Sequence, residues 1–137
     1  MARDKKKKPT YVDLHLGPLP VEAINRTLGH ELEPGDVIFT AAAQAHAYRS
    51  HRSDFPRCLP HVGAVAITPQ FLGDDFKNLG KIELVARVPS LGSGVSVALV
   101  IEPDANGRYN VCSLYPVSYR TIENRRQDGH LIITKWR

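Results

Sequence analysis

KIELVARV (81–88), VSVALVIE (95–102) and RYNVCSLY (108–115) decide the fold. Each is rich in β-branched and aromatic residues, and the turn segments LGSG (91–94) and PDANG (103–107) separate them, so the three read as strands. Links this short join antiparallel neighbours, which gives a meander. Downstream, Ser118 suits a helix cap, with Ile122, Arg125 and Arg126 in the helix body and Gly129 at its end. HLIITK (130–135) follows as a last strand.

Upstream, Pro20 suits a first helical position, Val21, Ile24 and Leu28 have helical spacing, and Gly29 closes that helix. EPGDVIFT (33–40) is a turn and a short strand, Val37 to Phe39. Thr40 caps a helix from about Ala41 to His51 in AAAQAHAYRSH, stopped by Ser53, Asp54 and Pro56. Pro60 opens either a short helix through His61, Val62 and Val65 or a buried strand, since periodicity fits both. PTYVDLHLGPL (9–19) reads as an irregular lead-in and FLGDDFKNLG (71–80) as a turn-rich connection. Helices followed by an antiparallel sheet make the class α+β.

The chain has 137 residues, enough for one domain, expected over 11–137 behind a basic, disordered tail at 1–10. No apolar run is long enough for a transmembrane helix, and no apolar stretch follows the lysines of MARDKKKKPTYVD, so the expected location is cytoplasmic, without membrane partners. Residues 1–8 hold five basic side chains against Asp4, and the rest of the chain balances thirteen of each sign. Any basic surface on the body must therefore come from uneven placement. Residues 41–57 and 119–137 are the locally basic stretches. Cys58 and Cys112 are expected as free thiols, Cys112 in the core.

Three of the six histidines fall in QAHAYRSHRSDFPRCLPH. His46 and Arg49 share a helix face, and His51 reaches the same cleft if the helix ends beside it. Two imidazoles can cleave RNA without metal. One takes the proton of a ribose 2′-hydroxyl, the other protonates the leaving 5′-oxygen, and an arginine stabilises the phosphoryl charge. A competing zinc site would use Cys58, His61, His46 and His51. On RYNVCSLY, strict alternation places Tyr109, Val111, Ser113 and Tyr115 on one face, suited to stacking bases and holding phosphate, and Asn110, Cys112 and Leu114 on the core face.

DVIFT, the helix with H-x-x-R-x-H, LPHVGAVAITPQFLG, the strand bearing Glu83, VALVIEPDANGRYNVCSLYPVS and TIENRRQDGHLI stand in an order that resembles the phage-associated barnase–EndoU–colicin–RelE-like (BECR-fold) nucleases. The resemblance covers roughly residues 35–134. It implies N-terminal helices packed on a curved antiparallel sheet of about four strands, with the active site on the concave face. It implies a metal-independent endoribonuclease, without cofactor, that leaves a 2′,3′-cyclic phosphate. RNA is the implied partner, and a toxin of this kind calls for a neutralising immunity or antitoxin protein. Carried over by position, His46, His51, Arg49 and Ser113 are the catalytic candidates, and Tyr115, Tyr109, Thr121 and Arg52 the substrate-binding ones. The family's lysine has only Lys81 and Lys135 as strand-edge candidates. The alternatives are a non-catalytic RNA- or protein-binding module on the same fold and a zinc-stabilised domain.

Overall fold

A ladder of four leucines runs across the sheet. Leu72, Leu84, Leu99 and Leu114 stand in register on four successive strands, all fully buried. The computed structural model describes residues 10–75 and 80–137. The elements are β1 (Leu14–Pro18), α1 (Val21–Leu28), β2 (Asp36–Phe39), α2 (Ala41–Ser50), α3 (Phe55–Cys58), α4 (Val62–Ile67), β3 (Phe71–Asp75), β4 (Lys81–Arg87), β5 (Ser96–Pro103), β6 (Tyr109–Val117), α5 (Tyr119–Gln127) and β7 (Ile132–Ile133). Among the described residues the strands form one sheet, ordered β1-β2-β6-β5-β4-β3-β7.

The expected meander of β4, β5 and β6 is present, with antiparallel pairing throughout. The β5–β6 turn is built by Asp104. Its Oδ1 accepts the amides of Asn106 and Arg108 at 2.8 and 3.0 Å, and Gly107 supplies the positive φ of 78°. Those backbone bonds, with the Asn110 side-chain amide, hold the Asp104 carboxyl below its ordinary value.

The sheet is larger and more mixed than the expected four antiparallel strands. Three segments account for the difference. PTYVDLHLGPL contains β1, an edge strand paired with β2 through a register shift between His15 and Gly17. FLGDDFKNLG contains β3, antiparallel to β4 over Phe71–Asp75, while 76–79 lie outside the described residues. β2 joins the sheet parallel to β6. HLIITK supplies only the two residues of β7. The expected disordered tail lies outside the described residues, except for Thr10.

The helices do not form an N-terminal block. β1 and β2 alternate with α1 and α2, and α5 lies on the opposite face. The larger core joins Ile24, Ala47, Phe55, Cys58, Val62 and Val65 of α1–α4 to the leucine-ladder face. The smaller core joins Phe71, Val85, Ala98 and Val117 of the other face to Ile122 and Leu131. The ambiguous stretch after Pro60 is helical, a 3₁₀ turn (Leu59–His61) running into α4. Its β-branched residues meet the sheet at helical spacing, with Val62, Val65 and Ala66 buried. Pro20 caps α1 instead of occupying its first turn.

The caps fall where the residues indicate. Thr40 Oγ1 accepts the Ala43 amide, and Ser118 Oγ accepts the Thr121 amide. Cys58 ends α3, fully buried, and burial, followed by the nearby Asp54 charge, pushes its thiol up to about 11.

Truncating the leucine ladder at its centre tests this packing. Leu99→Ala is expected to lower the unfolding free energy by about 2–5 kcal/mol in urea titration. A loss under about 1 kcal/mol would place Leu99 outside the packed core.

Candidate active site

The opposite face of the sheet carries a polar cluster among apolar neighbours. Gly73, Glu83, Val100 and Ser113 form one cross-strand row, and Phe71, Val85, Ala98 and Tyr115 the next. Glu83 is only 7% exposed. An isolated carboxylate at that depth is costly, so it must be met by donors. The Tyr115 hydroxyl donates to Glu83 Oε2 and the Arg125 guanidinium to Glu83 Oε1. One carboxylate thereby ties β4, β6 and α5 together. Burial, then the Glu83 charge, push the Tyr115 phenol well above its ordinary value, so it remains a neutral donor. Burial works against the charge on Arg125, but the bond to Glu83 more than offsets this and holds the guanidinium above its ordinary value. A carboxylate has about four acceptor positions, and these two donors leave the others open.

His51 closes the cluster on the helical side. Its ring stacks on Tyr115, with centroids 6.1 Å apart and planes 30° apart. The local cause is the end of α2. His51 leaves helical geometry at φ −135° and ψ 60°, and its carbonyl accepts from the amides of Asp54 and Phe55, turning the chain into α3. Phe55 anchors that turn in the core, edge-on to Tyr11, Phe39 and Tyr48.

Gly73 permits a close passage over the same row. A Cβ there would lie 2.8 Å from the His130 carbonyl oxygen and 3.1 Å from Leu131 Cδ2. The His130 and Leu131 amides both bond to the Arg125 carbonyl, so this passage also fixes the end of α5 that bears Arg125.

A β-bulge overturns the expected parity of β6. Val100 pairs with Ser113 but Ile101 pairs with Val111, leaving Cys112 as the extra residue. Ser113 and Tyr115 therefore face the cluster, while Tyr109, Val111 and Leu114 lie in the helix-packed core. Tyr109 is buried, its hydroxyl donating to the Glu33 carbonyl, and burial raises its phenol. It does not join the other substrate-binding candidates. Cys112 is half-buried at the bulge and outside the core clusters. Burial, then Glu102, push its thiol up to about 11.

The other candidates separate. His46 and Arg49 lie exposed on α2, and neither makes a side-chain hydrogen bond or ion pair among the described residues. Arg52 lies over the Tyr48 ring, 5.8 Å from its centroid. Thr121 is exposed in the first turn of α5, its hydroxyl 3.0 Å from that of Ser118. The competing zinc set does not assemble: Cys58 is sealed in the core, and no described group of three His, Cys, Asp or Glu side chains could hold a metal ion. Glu83 and Arg125 were visible in the sequence without a role. The signal was an acidic residue inside an apolar strand, since a charge placed there needs a partner.

Comparison of the chain with protein-family models, curated proteins and solved structures finds no match. No helix among the described residues is long and apolar enough to cross a membrane.

Two outcomes follow from the cluster. Arg125→Met leaves a buried carboxylate short of a donor and is expected to cost about 3 kcal/mol, whereas Glu83→Leu combined with Arg125→Met costs less than the single change. A larger loss in the double variant would refute the account of Glu83. The second outcome concerns alkali. Both thiols ionise near 9 when unfolded and at about 11 when folded, and Tyr115 is raised in the same sense. Folding stability from these groups is thus complete below about pH 9 and falls as pH rises toward 11. Chemical denaturation across that interval measures it, and Cys58→Ala is expected to flatten the decline.

Proposed function

We propose that the chain is a metal-independent endoribonuclease whose reaction is run by Glu83, His51 and Arg125. The observation that supports this reading is the contact chain from His51 through Tyr115 and Glu83 to Arg125. It links an imidazole, through the Tyr115 ring, to a hydrogen-bonded carboxylate and guanidinium. In-line cleavage of RNA needs these three chemistries within the span of one phosphodiester.

In the proposed reaction, a free acceptor position of Glu83 takes the proton of the ribose 2′-hydroxyl. The 2′-oxygen bonds to phosphorus as the bond from phosphorus to the 5′-oxygen breaks. His51, entering as imidazolium, gives its proton to that leaving oxygen. The products are a 2′,3′-cyclic phosphate and a free 5′-hydroxyl. Arg125 is one-third exposed, so it can reach a phosphoryl oxygen while still bonded to Glu83 and stabilise its growing charge. Tyr115 supports the His51 ring, and Ser113, in the row of Glu83, is placed to hydrogen-bond the ribose or phosphate. Glu83 here replaces His46, which was expected to share the acid–base work with His51, because Glu83 is bonded to Arg125 and to the tyrosine on which His51 stacks, and His46 makes no polar contact among the described residues.

The burial of Glu83 favours a second reading, in which the cluster only pins α5 to the sheet and the face binds RNA without cutting it. One incubation separates the two. Purified protein with single-stranded RNA in EDTA is expected to give fragments ending in 2′,3′-cyclic phosphate. Glu83→Gln and His51→Ala are each expected to reduce the rate at least about 100-fold while keeping the native circular dichroism spectrum. Intact RNA with a retarded band would favour the binding module. Cleavage that survives both substitutions would overturn the assignment.

A further inference from the structure

β4 outruns β3. Their pairing ends at Phe71 and Val85, and β4 continues through Ala86 and Arg87. In place of a strand partner, the Gln70 side-chain carbonyl accepts the Arg87 amide at 2.7 Å. The chain then enters a 3₁₀ turn (Pro89–Leu91). α4 packs on the same strand. His61 and Thr68 cap its two ends, and with Ala64 and Val65 between them they have the spacing of one helix face. That face, Gln70 and residues 86–90 enclose a pocket of about 380 Å³, within the range of small-molecule sites. Val65, Ala86 and Val88 are buried and give it an apolar floor. Its rim is polar. Arg87 is exposed and in no ion pair among the described residues. With its carbonyl engaged, Gln70 keeps its amide N–H groups as donors. The Ser90 hydroxyl and the His61 ring add others. No acidic side chain is among the described residues that line the pocket, and it shares no residue with the Glu83 cluster.

We infer that this pocket binds a small organic anion, a carboxylate or phosphate monoester with an apolar body. The planar guanidinium of Arg87 presents paired donors that match either oxyanion, and no lining carboxylate among the described residues competes for it. The amide, hydroxyl and imidazole donors orient the anionic end. The apolar body displaces water from Val65, Ala86 and Val88. An inorganic ion would use the rim alone and leave the floor wet. The inference is independent of the proposed ribonuclease reaction.

The test uses the full chain and four probes, namely phenyl phosphate, benzoate, neutral benzamide and inorganic phosphate. In NMR titrations at millimolar concentration, phenyl phosphate or benzoate is expected to shift the Ala64 and Arg87 amides and the Gln70 side-chain amide along one saturation curve. The tighter of the two identifies the anionic group. Benzamide and inorganic phosphate are each expected to bind at least about tenfold more weakly. Arg87→Met removes the charge at an exposed position and is expected to weaken the tighter probe about tenfold or more. Ala64→Leu fills the pocket from an exposed helical position and is expected to do the same, with the native circular dichroism spectrum kept in both variants. The inference is overturned if neither anion gives a saturable shift of these amides. It is equally overturned if benzamide or inorganic phosphate binds as tightly, or if affinity is unmoved in both variants.

Discussion

A carboxylate placed inside an apolar strand must be answered by donors, and at Glu83 the answer comes from two other elements. Tyr115 reaches it from β6 and Arg125 from α5. The penalty for leaving such a charge unpaired is several kcal/mol, comparable with the whole stability of an ordinary domain. The helix that covers this face is therefore fixed in place by polar contacts as much as by Ile122 and Leu131. Glu83, Tyr115 and Arg125 thus hold the arrangement together and are also groups to which the proposed reaction gives roles.

The bulge at Cys112 is the second requirement. Strict alternation would put Ser113 and Tyr115 on the face of Tyr109, inside the core. One extra residue lets β6 contribute Tyr109, Val111 and Leu114 to the helix-packed side and still present Ser113 and Tyr115 to Glu83. The turn after α2 is the third. Phe55, held among Tyr11, Phe39 and Tyr48, sets where the chain reverses and so where His51 lies. Each device is a packing solution that sets where a group used by the proposed reaction lies.

Much of the sheet was legible in the sequence because β4, β5 and β6 are apolar runs separated by turn residues. The caps Thr40 and Ser118 were legible because their hydroxyls have one obvious use. β1 and β3 were not. LHLGP and FLGDD are short and carry Gly, Pro or acidic residues that lower strand propensity, and they are strands because neighbours pair with them. The parity of β6 failed because a bulge leaves no mark in a composition that alternates either way. Of the candidate site, His51, Ser113 and Tyr115 were foreseen by pattern. Glu83 and Arg125 stood in plain view without a role, since their pairing spans 42 positions and only the fold joins them.

The most direct test of the central claim follows the site's own rings while RNA is present. His51 and Tyr115 ring resonances, together with the Arg125 side-chain N–H, can be monitored by NMR as a 2′-deoxy-substituted oligonucleotide is added. The account predicts that these three groups shift together, with one shared saturation curve. Shifts confined to other parts of the molecule, with all three unmoved at saturation, would contradict it.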